Sequence, residues 1–220
     1  MTMMTVWLRQ LRNLGSIDEN EFSLFDWYLS ETEALVTKIE SEEAVYVDQQ
    51  IASGVQEPNN TGLLAASYWA RRIRYSHVIH LASMVEGVMK RQCDRLILTL
   101  GEQAAPFSPA DLKGDQWSVK RKVLERYGHF EITEALWTRT GQLIDVRNVV
   151  VHENGDASSL SDSRRRALAN LPGIRLVSGE IEVSVVFVRD AFSLVREIAE
   201  FLDRHVNEVI DRRLRPIPLD

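Results

Sequence analysis

The hydrophobic positions of this chain recur mostly at steps of three and four residues, which is the period of an amphipathic α-helix. The longest such stripe covers about six turns and then meets Gly101, a residue suited to ending a helix. The pattern predicts one long helix with a core-facing stripe. Its members are Val78, Ala82, Val85, Met89, Cys93, Leu96 and Leu100.

Several further helices are predicted around this one. An amphipathic segment begins near residue 18 and runs into the forties, and a Gly- and Asn-containing loop at 54–62 follows it. Helical patterns also cover about 116–127, 133–153, 161–170 and 190–213. The apolar positions that we expect to face the core in the first of these helices are Phe22, Phe25, Trp27, Leu29, Leu35 and Ile39.

The period changes to two near the C-terminal end. Ser178-Gly179 is typical of a two-residue hairpin turn, and the apolar positions from Ile181 to Phe187 alternate with polar ones. We therefore predict a mainly α fold, a bundle of four or more helices with a small β-hairpin at 174–187 before the last helix. The chain is expected to form a single domain, 1–220, in which 1–15 is an N-terminal extension.

Composition narrows the classes of function. Hydrophobic residues make up 45% of the chain, charged residues 26%, and the net charge is −6, which argues against sequence-independent coating of nucleic acid. The single cysteine, Cys93, cannot form an internal disulfide and is expected to be a buried thiol. No apolar run is long enough to span a bilayer, and the first residues do not resemble a signal peptide. A cytoplasmic protein without membrane association is the expectation.

Common cofactor and metal motifs are missing from the sequence. It has no phosphate-binding Gly-rich loop and no paired CxxC. His77 and His80 have the spacing of a helical metal pair, but the paired Glu-x-x-His pattern that usually completes such a site is absent. We expect these two histidines to have a structural role, and we expect neither a cofactor nor a metal.

Polar residues with chemical potential concentrate in the segment 145–155, at the end of a predicted helix. Asp145, Asn148 and His152 follow at i, i+3 and i+7, so they share one helix face, and Arg147 precedes Asn148 directly. A histidine can move a proton near neutral pH. The arginine fork can bind phosphate, and Asn148 can orient the phosphate or the ring. Asn154-Gly155 then ends the helix.

A purely structural interpretation of these residues also exists. Arg147 could pair with Asp145 or Glu153 or bind the last helix carbonyls, and His152 could stabilise the negative end of the helix. The Arg-to-His spacing alone is not specific, because other arginines in 71–74 stand at similar distances from His77 and His80.

The segment Arg147-Asn148 to His152 resembles the R-x(4–6)-H motif of the HEPN superfamily, with a polar residue after the arginine and a place near the end of a late helix. The segment 83–87, where a serine, Glu86 and a glycine interrupt an apolar run, is similar to the long second helix of that family. The resemblance covers about residues 20–212. It implies Arg147, Asn148 and His152 as catalytic residues, with Asp145 and Glu86 in support.

The resemblance also implies an activity and partners. It implies a metal-independent endoribonuclease of the toxin–antitoxin or phage-defence type, which cleaves RNA by attack of the 2′-hydroxyl and uses no cofactor. Two motifs usually face one another in a homodimer of such proteins, and an antitoxin or another regulatory protein is a possible partner. The alternative is a non-catalytic helical protein-interaction module, because the family also includes inactive members.

Overall fold

The computed structural model describes residues 3–13, 18–101, 117–129 and 131–214. In these ranges the chain forms seven helices and one two-stranded antiparallel hairpin. The elements in chain order are α1 (Met3–Asn13), α2 (Glu19–Ala52), α3 (Thr61–Leu100), α4 (Trp117–Gly128), α5 (Glu134–His152), α6 (Asp162–Ala169), β1 (Ile174–Val177), β2 (Glu180–Val183) and α7 (Val185–Leu214).

The predicted mainly α fold with a hairpin before the last helix is confirmed. The bounds of α4, α5 and α6 lie within a residue or so of the predicted ones. α2 and α3 are longer than expected, and the loop between them covers only 53–60. Six of the seven residues in the predicted stripe of α3 are buried, and Leu100 is half-buried.

The chain divides into two compact units, each assembled from separated segments. The described residues of the first unit lie within Met1–Asp18, Leu81–Gly141 and Phe192–Asp220, and those of the second within Glu19–His80 and Gln142–Ala191. α3, α5 and α7 each contribute residues to both units. The expectation of a single domain stays a prediction.

A buried arginine organises part of the first unit. The Arg95 guanidinium is 4% exposed and donates to the backbone carbonyls of Leu11 and Arg12 at 2.9 Å. It also donates to Asp203 Oδ1 at 2.7 Å and to Asn207 Oδ1 at 2.6 Å. One side chain on α3 thereby binds the last carbonyls of α1, which have no partner within that helix, and also α7.

Cys93 is buried in the same unit, as the sequence predicted, and burial raises the pKa of its thiol to about 12. The thiol therefore stays protonated at neutral pH, as an apolar core residue would.

In the second unit, α2 lies antiparallel to the first half of α3, residues 61–80. Thr32 Oγ1 lies 3.0 Å from His77 Nε2, and the Arg74 guanidinium binds the Glu33 carboxylate through two nitrogens. At the far end of the pair, Gln50 exchanges hydrogen bonds with the backbone of the loop before α3.

The face that α2 buries differs in part from the predicted one. Phe22, Phe25 and Leu29 are buried as expected, but Trp27 is 63% exposed, and Leu35 and Ile39 are exposed as well. The buried positions follow the 3.6-residue period through Glu33 and Val36 instead. The prediction was wrong at these three positions because it selected residues by apolar character rather than by angle around the helix.

The hairpin forms with the predicted turn but ends earlier than 187. Ser178 and Gly179 have φ of +52° and +87°, which suits a two-residue turn, and Val177 pairs with Glu180. β2 ends at Val183, and α7 begins at Val185 rather than near residue 190. The amide of Phe187 donates to Ser184 Oγ at 3.5 Å, so Ser184, which the alternation assigned to a strand, caps the helix.

The expected N-terminal extension, 1–15, contains the helix α1, whose Leu8 and Leu11 are buried. Residues 1, 2, 14 and 15 of that segment lie outside the described residues. Across the described part of the chain, no helix has the combination of length and apolar character that crossing a membrane requires.

Candidate functional site

The motif of the sequence lies on α5 and belongs entirely to the second unit. Asp145, Arg147, Asn148 and His152 are all helical, so the predicted i, i+3, i+7 face exists. The valines beside this face, Val146, Val149 and Val150, are buried. Burial of these valines fixes the rotation of the helix about its axis and thereby determines which residues reach the surface.

The end of α5 is held by the backbone that follows it. Asn154 and Gly155 have φ of +54° and +89°, and the amide of Gly155 donates to the Val149 carbonyl at 3.0 Å. The Gly155 carbonyl in turn accepts from the Ile181 amide at 2.9 Å, which connects the helix end to the hairpin. The predicted stop at Asn154-Gly155 is confirmed, and His152 is the last residue of the helix.

Arg147 and Asn148 are joined by their side chains. Arg147 Nη1 donates to Asn148 Oδ1 at 3.0 Å, and both residues are half-buried. Arg147 Nε is buried and has no hydrogen-bond partner among the described residues. A buried donor without an acceptor is uncommon in proteins and often marks a place where a ligand, an ion or a water belongs.

His152 is exposed, and no residue of the described chain forms a hydrogen bond with its ring. Asp145 is occupied elsewhere, since its Oδ1 accepts from Arg164 Nη2 at 3.2 Å on the surface. Arg147 forms no ion pair with Asp145 or Glu153 within the described ranges. The pairings that a purely structural role of Arg147 would use are therefore not made.

Glu86, the other suggested supporting residue, lies on α3 in the first unit and is half-buried. Its participation in the site stays a prediction.

One neighbour of the motif was missed by sequence reasoning. Arg72 Nη1 donates to Asn154 Oδ1 at 2.5 Å, two residues beyond His152 in the chain. The guanidinium of Arg72 also lies over the rings of Tyr68 and Tyr75, 5.0 and 5.8 Å from their centroids. The sequence separation of 82 residues leaves no local signal for this contact. The only hint is the basic cluster at 71–74, a pattern that is also typical of a solvated helix face.

The two histidines of α3 behave as core and core-edge residues. His77 is fully buried and packs edge-on against Phe25 and Tyr28, while His80 is exposed and stacks on Phe25. Burial lowers the pKa of His77, and the nearby charge of Glu33 opposes that shift. Among the residues that the structure describes, no group of three potential metal ligands occurs.

Two clefts elsewhere are weaker candidates for a site. The larger, about 1050 Å³, lies in the first unit beside Arg121, but that guanidinium is already paired with Glu125 and Glu134. The smaller, about 400 Å³, lies in the second unit beside Arg71 and Arg74, which are paired with Glu180 and Glu33. The arginines named in these two clefts are thus each paired with a carboxylate of the chain itself.

The chain matches no protein-family model, no curated protein and no solved structure. The resemblance to the HEPN superfamily therefore rests on the sequence alone, on the motif at 147–152 and the segment 83–87, and membership stays a prediction.

Proposed function

We propose that this protein is a metal-independent endoribonuclease of the HEPN type, with Arg147, Asn148 and His152 as its catalytic residues. The proposal rests on the partners of the motif side chains on α5. Arg147 is held by Asn148 and has no carboxylate partner in the described chain, and the His152 ring is exposed and unbonded at the same helix end. An unpaired cation and an accessible proton carrier are what phosphodiester cleavage needs.

The reaction would proceed by internal transfer. His152 in its neutral form takes the proton of the ribose 2′-hydroxyl, whose oxygen attacks the adjacent phosphorus. The O2′–P bond forms and the P–O5′ bond breaks, so that a 2′,3′-cyclic phosphate remains. The 5′-oxygen leaves with a proton from an acid. Arg147 stabilises the charge that grows on the phosphate oxygens.

The motif of one chain supplies a single histidine, His152, whereas the reaction uses a base and an acid in the same step. A symmetric homodimer would solve this, because the second copy's His152 could donate the proton to the leaving oxygen. Such an enzyme would act as a toxin or a phage-defence nuclease, and an antitoxin or another regulatory protein would control it. Sedimentation should then show a dimer at tens of micromolar protein.

The test is cleavage of single-stranded RNA by the purified protein in the presence of a chelator. His152→Ala should lower the rate about 10²- to 10⁴-fold, the usual contribution of a general acid or base. Arg147→Lys should also be poorly active, since an ammonium cannot reproduce the two-pronged contact with phosphate. His80→Ala is the matched control, because His80 is an exposed histidine of the same unit outside the motif. Equal activity of the wild type and His152→Ala would refute the proposal.

A second candidate, a non-catalytic interaction module, is favoured by the surface of α2. Leu24, Trp27 and Leu35 are between 54% and 65% exposed there, and exposed apolar side chains in such number often mark protein-binding surfaces. This candidate predicts that Trp27→Ala and Leu35→Ala abolish capture of a protein partner while His152→Ala leaves it intact. Detection of RNA cleavage that depends on His152 would exclude it as the sole function.

A further inference from the structure

Two aromatic side chains stand next to each other on the surface of α3. Tyr68 is 45% exposed and Trp69 is 64% exposed. Their rings meet edge to face, with centroids 5.9 Å apart and planes at 78°. Burial of such rings in the core would be favourable, so an exposed pair indicates a surface that is covered when a partner binds.

Arg72 connects this pair to the end of α5. Its guanidinium lies over the Tyr68 ring and its Nη1 binds Asn154, which follows His152 by two residues. Arg72 Nε is buried without a hydrogen-bond partner in the described part of the chain, like Nε of Arg147. The contacts thus form a continuous series from Trp69 through Tyr68 and Arg72 to the helix end that carries the motif.

The chemistry of this series fits one class of ligand. Single-stranded nucleic acids are bound by aromatic rings, on which bases stack, together with cations that interact with the backbone. Tyr68 offers an exposed ring, and Arg72 contributes a positive charge without a carboxylate partner among the described residues. An apolar protein surface would gain from the rings but would have to desolvate the guanidinium without an acceptor in return.

We propose that Tyr68, Trp69 and Arg72 form a base-stacking subsite for single-stranded RNA. A base packs against the exposed part of the Tyr68 ring, with Trp69 beside it. Arg72 holds the Tyr68 ring and ties the subsite to Asn154. The subsite rests on the proposed function in one respect only, that the bound nucleotide is a neighbour of the phosphate to be cleaved. Stacking makes the subsite tolerant of base identity but selective for unpaired over double-stranded RNA.

The experiment measures binding separately from cleavage. The protein carries His152→Ala, and the probe is a fluorescein-labelled single-stranded oligouridylate of about ten nucleotides, followed by fluorescence anisotropy. Tyr68→Ala and Trp69→Ala should each weaken binding about 5- to 100-fold, the range that loss of one base–aromatic stack produces. Tyr68→Phe should retain binding, because the ring remains.

Matched controls separate stacking from a general loss of surface. Tyr46 and Trp27 on α2 are 51% and 63% exposed, so Tyr46→Ala and Trp27→Ala remove equally accessible rings from the same unit. Neither should change the Kd. An abasic oligonucleotide of the same length and charge should bind Tyr68→Ala and its parent equally, since it has no base to stack.

The subsite would be overturned if Tyr68→Ala and Tyr46→Ala weakened RNA binding equally. It would also be overturned if Tyr68→Ala weakened binding of the oligouridylate and of the abasic probe equally. Capture of a protein through these rings without any RNA binding would also overturn it. Failure of the nuclease proposal is recognised separately. If no RNA is cleaved but binding depends on Tyr68, the subsite stands and the catalytic assignment falls. If cleavage depends on His152 but Tyr68→Ala has the wild-type KM, only the subsite falls.

Discussion

Gly155 is the position where a single methyl group should most clearly disturb the end of α5. Its φ is +89°, and a Cβ there would overlap Tyr75 Oη and lie 2.7 Å from Tyr75 Cζ. Tyr75 is 4% exposed and its hydroxyl donates to the Ile181 carbonyl at 2.5 Å. The ring therefore cannot move away without breaking a buried hydrogen bond. We expect Gly155→Ala to destabilise the protein through both the backbone and the packing.

The two contributions can be estimated separately. A left-handed backbone costs an L-residue about 1–2 kcal/mol relative to glycine. Forcing a methyl group against the Tyr75 ring adds about 1–3 kcal/mol, as other overpacking substitutions do, and loss of the hydrogen bond to Ile181 adds about 1 kcal/mol. Alanine also makes the unfolded chain less flexible, which offsets up to about 1 kcal/mol of this loss. Gly155→Ala should thus lower the free energy of unfolding by about 2–5 kcal/mol.

Gly54→Ala is a matched control for the backbone contribution. Gly54 has φ of +84°, but a Cβ at this position would have nothing within 4 Å, so only the backbone cost of about 1 kcal/mol applies. Urea denaturation followed by circular dichroism at 222 nm gives both free energies. In a Tyr75→Leu background, the extra cost of Gly155→Ala should shrink, because the clashing ring is gone. Equal destabilisation by Gly54→Ala and Gly155→Ala would refute the reasoning.

Three further predictions concern buried polar groups. The pKa of His77 is lowered in the fold, so the stability that the neutral ring contributes is complete above pH 6.5. This stability is lost as pH falls through the folded pKa, by at most about 1.4 kcal/mol per pH unit. His77→Gln should flatten the curve of melting temperature against pH over that window, and an unchanged slope would contradict this. Arg95→Met should destabilise the protein by about 3–5 kcal/mol, because Asp203 loses its cationic partner and the last carbonyls of α1 lose their donor. Hydrogen exchange in α1 should rise as well, and protection of α1 equal to wild type would speak against this prediction. Glu33→Gln breaks the largely buried ion pair with Arg74 and should lower the free energy of unfolding by more than about 1.5 kcal/mol. Lys38→Ala breaks an exposed ion pair with Glu42 and should lower it by less than about 0.5 kcal/mol in the same denaturation assay. Similar losses for the two variants would show that burial is not decisive here.

The sequence alone predicted the structure correctly wherever local periodicity determines it. The stripe of α3, the bounds of α5 and the turn at Ser178-Gly179 all follow from spacing or turn chemistry over a few residues. It failed where two local patterns compete. The alternation of Val183, Val185 and Phe187 suits a strand, but Ser184 offers a helix cap, and the structure uses the cap.

The candidate site likewise has features that the sequence predicts and features that it does not. The helical face with Asp145, Asn148 and His152 follows from sequence spacing alone. The contact of Arg72 with Asn154 does not, because it depends on how α3 passes the end of α5 within the unit. The burial of Glu33 and His77 escaped prediction for a related reason. Each polar group is acceptable in the core only because the neighbouring helix supplies its partner.

The excess of acidic over basic residues in the chain is compatible with an RNA-binding site when the partner of each arginine is considered separately. In the second unit Glu33, Glu180 and Asp145 each accept an arginine, so these carboxylates stabilise the fold and cancel charge at their own positions. Arg72 and Arg147 are bonded instead to the neutral side chains of Asn154 and Asn148. Two guanidinium groups near the end of α5 are therefore not paired with a carboxylate among the described residues, within a protein of net charge −6. Two cations neutralise few phosphates, so the affinity for RNA would have to come largely from stacking and from specific bonds to one phosphate rather than from long-range attraction.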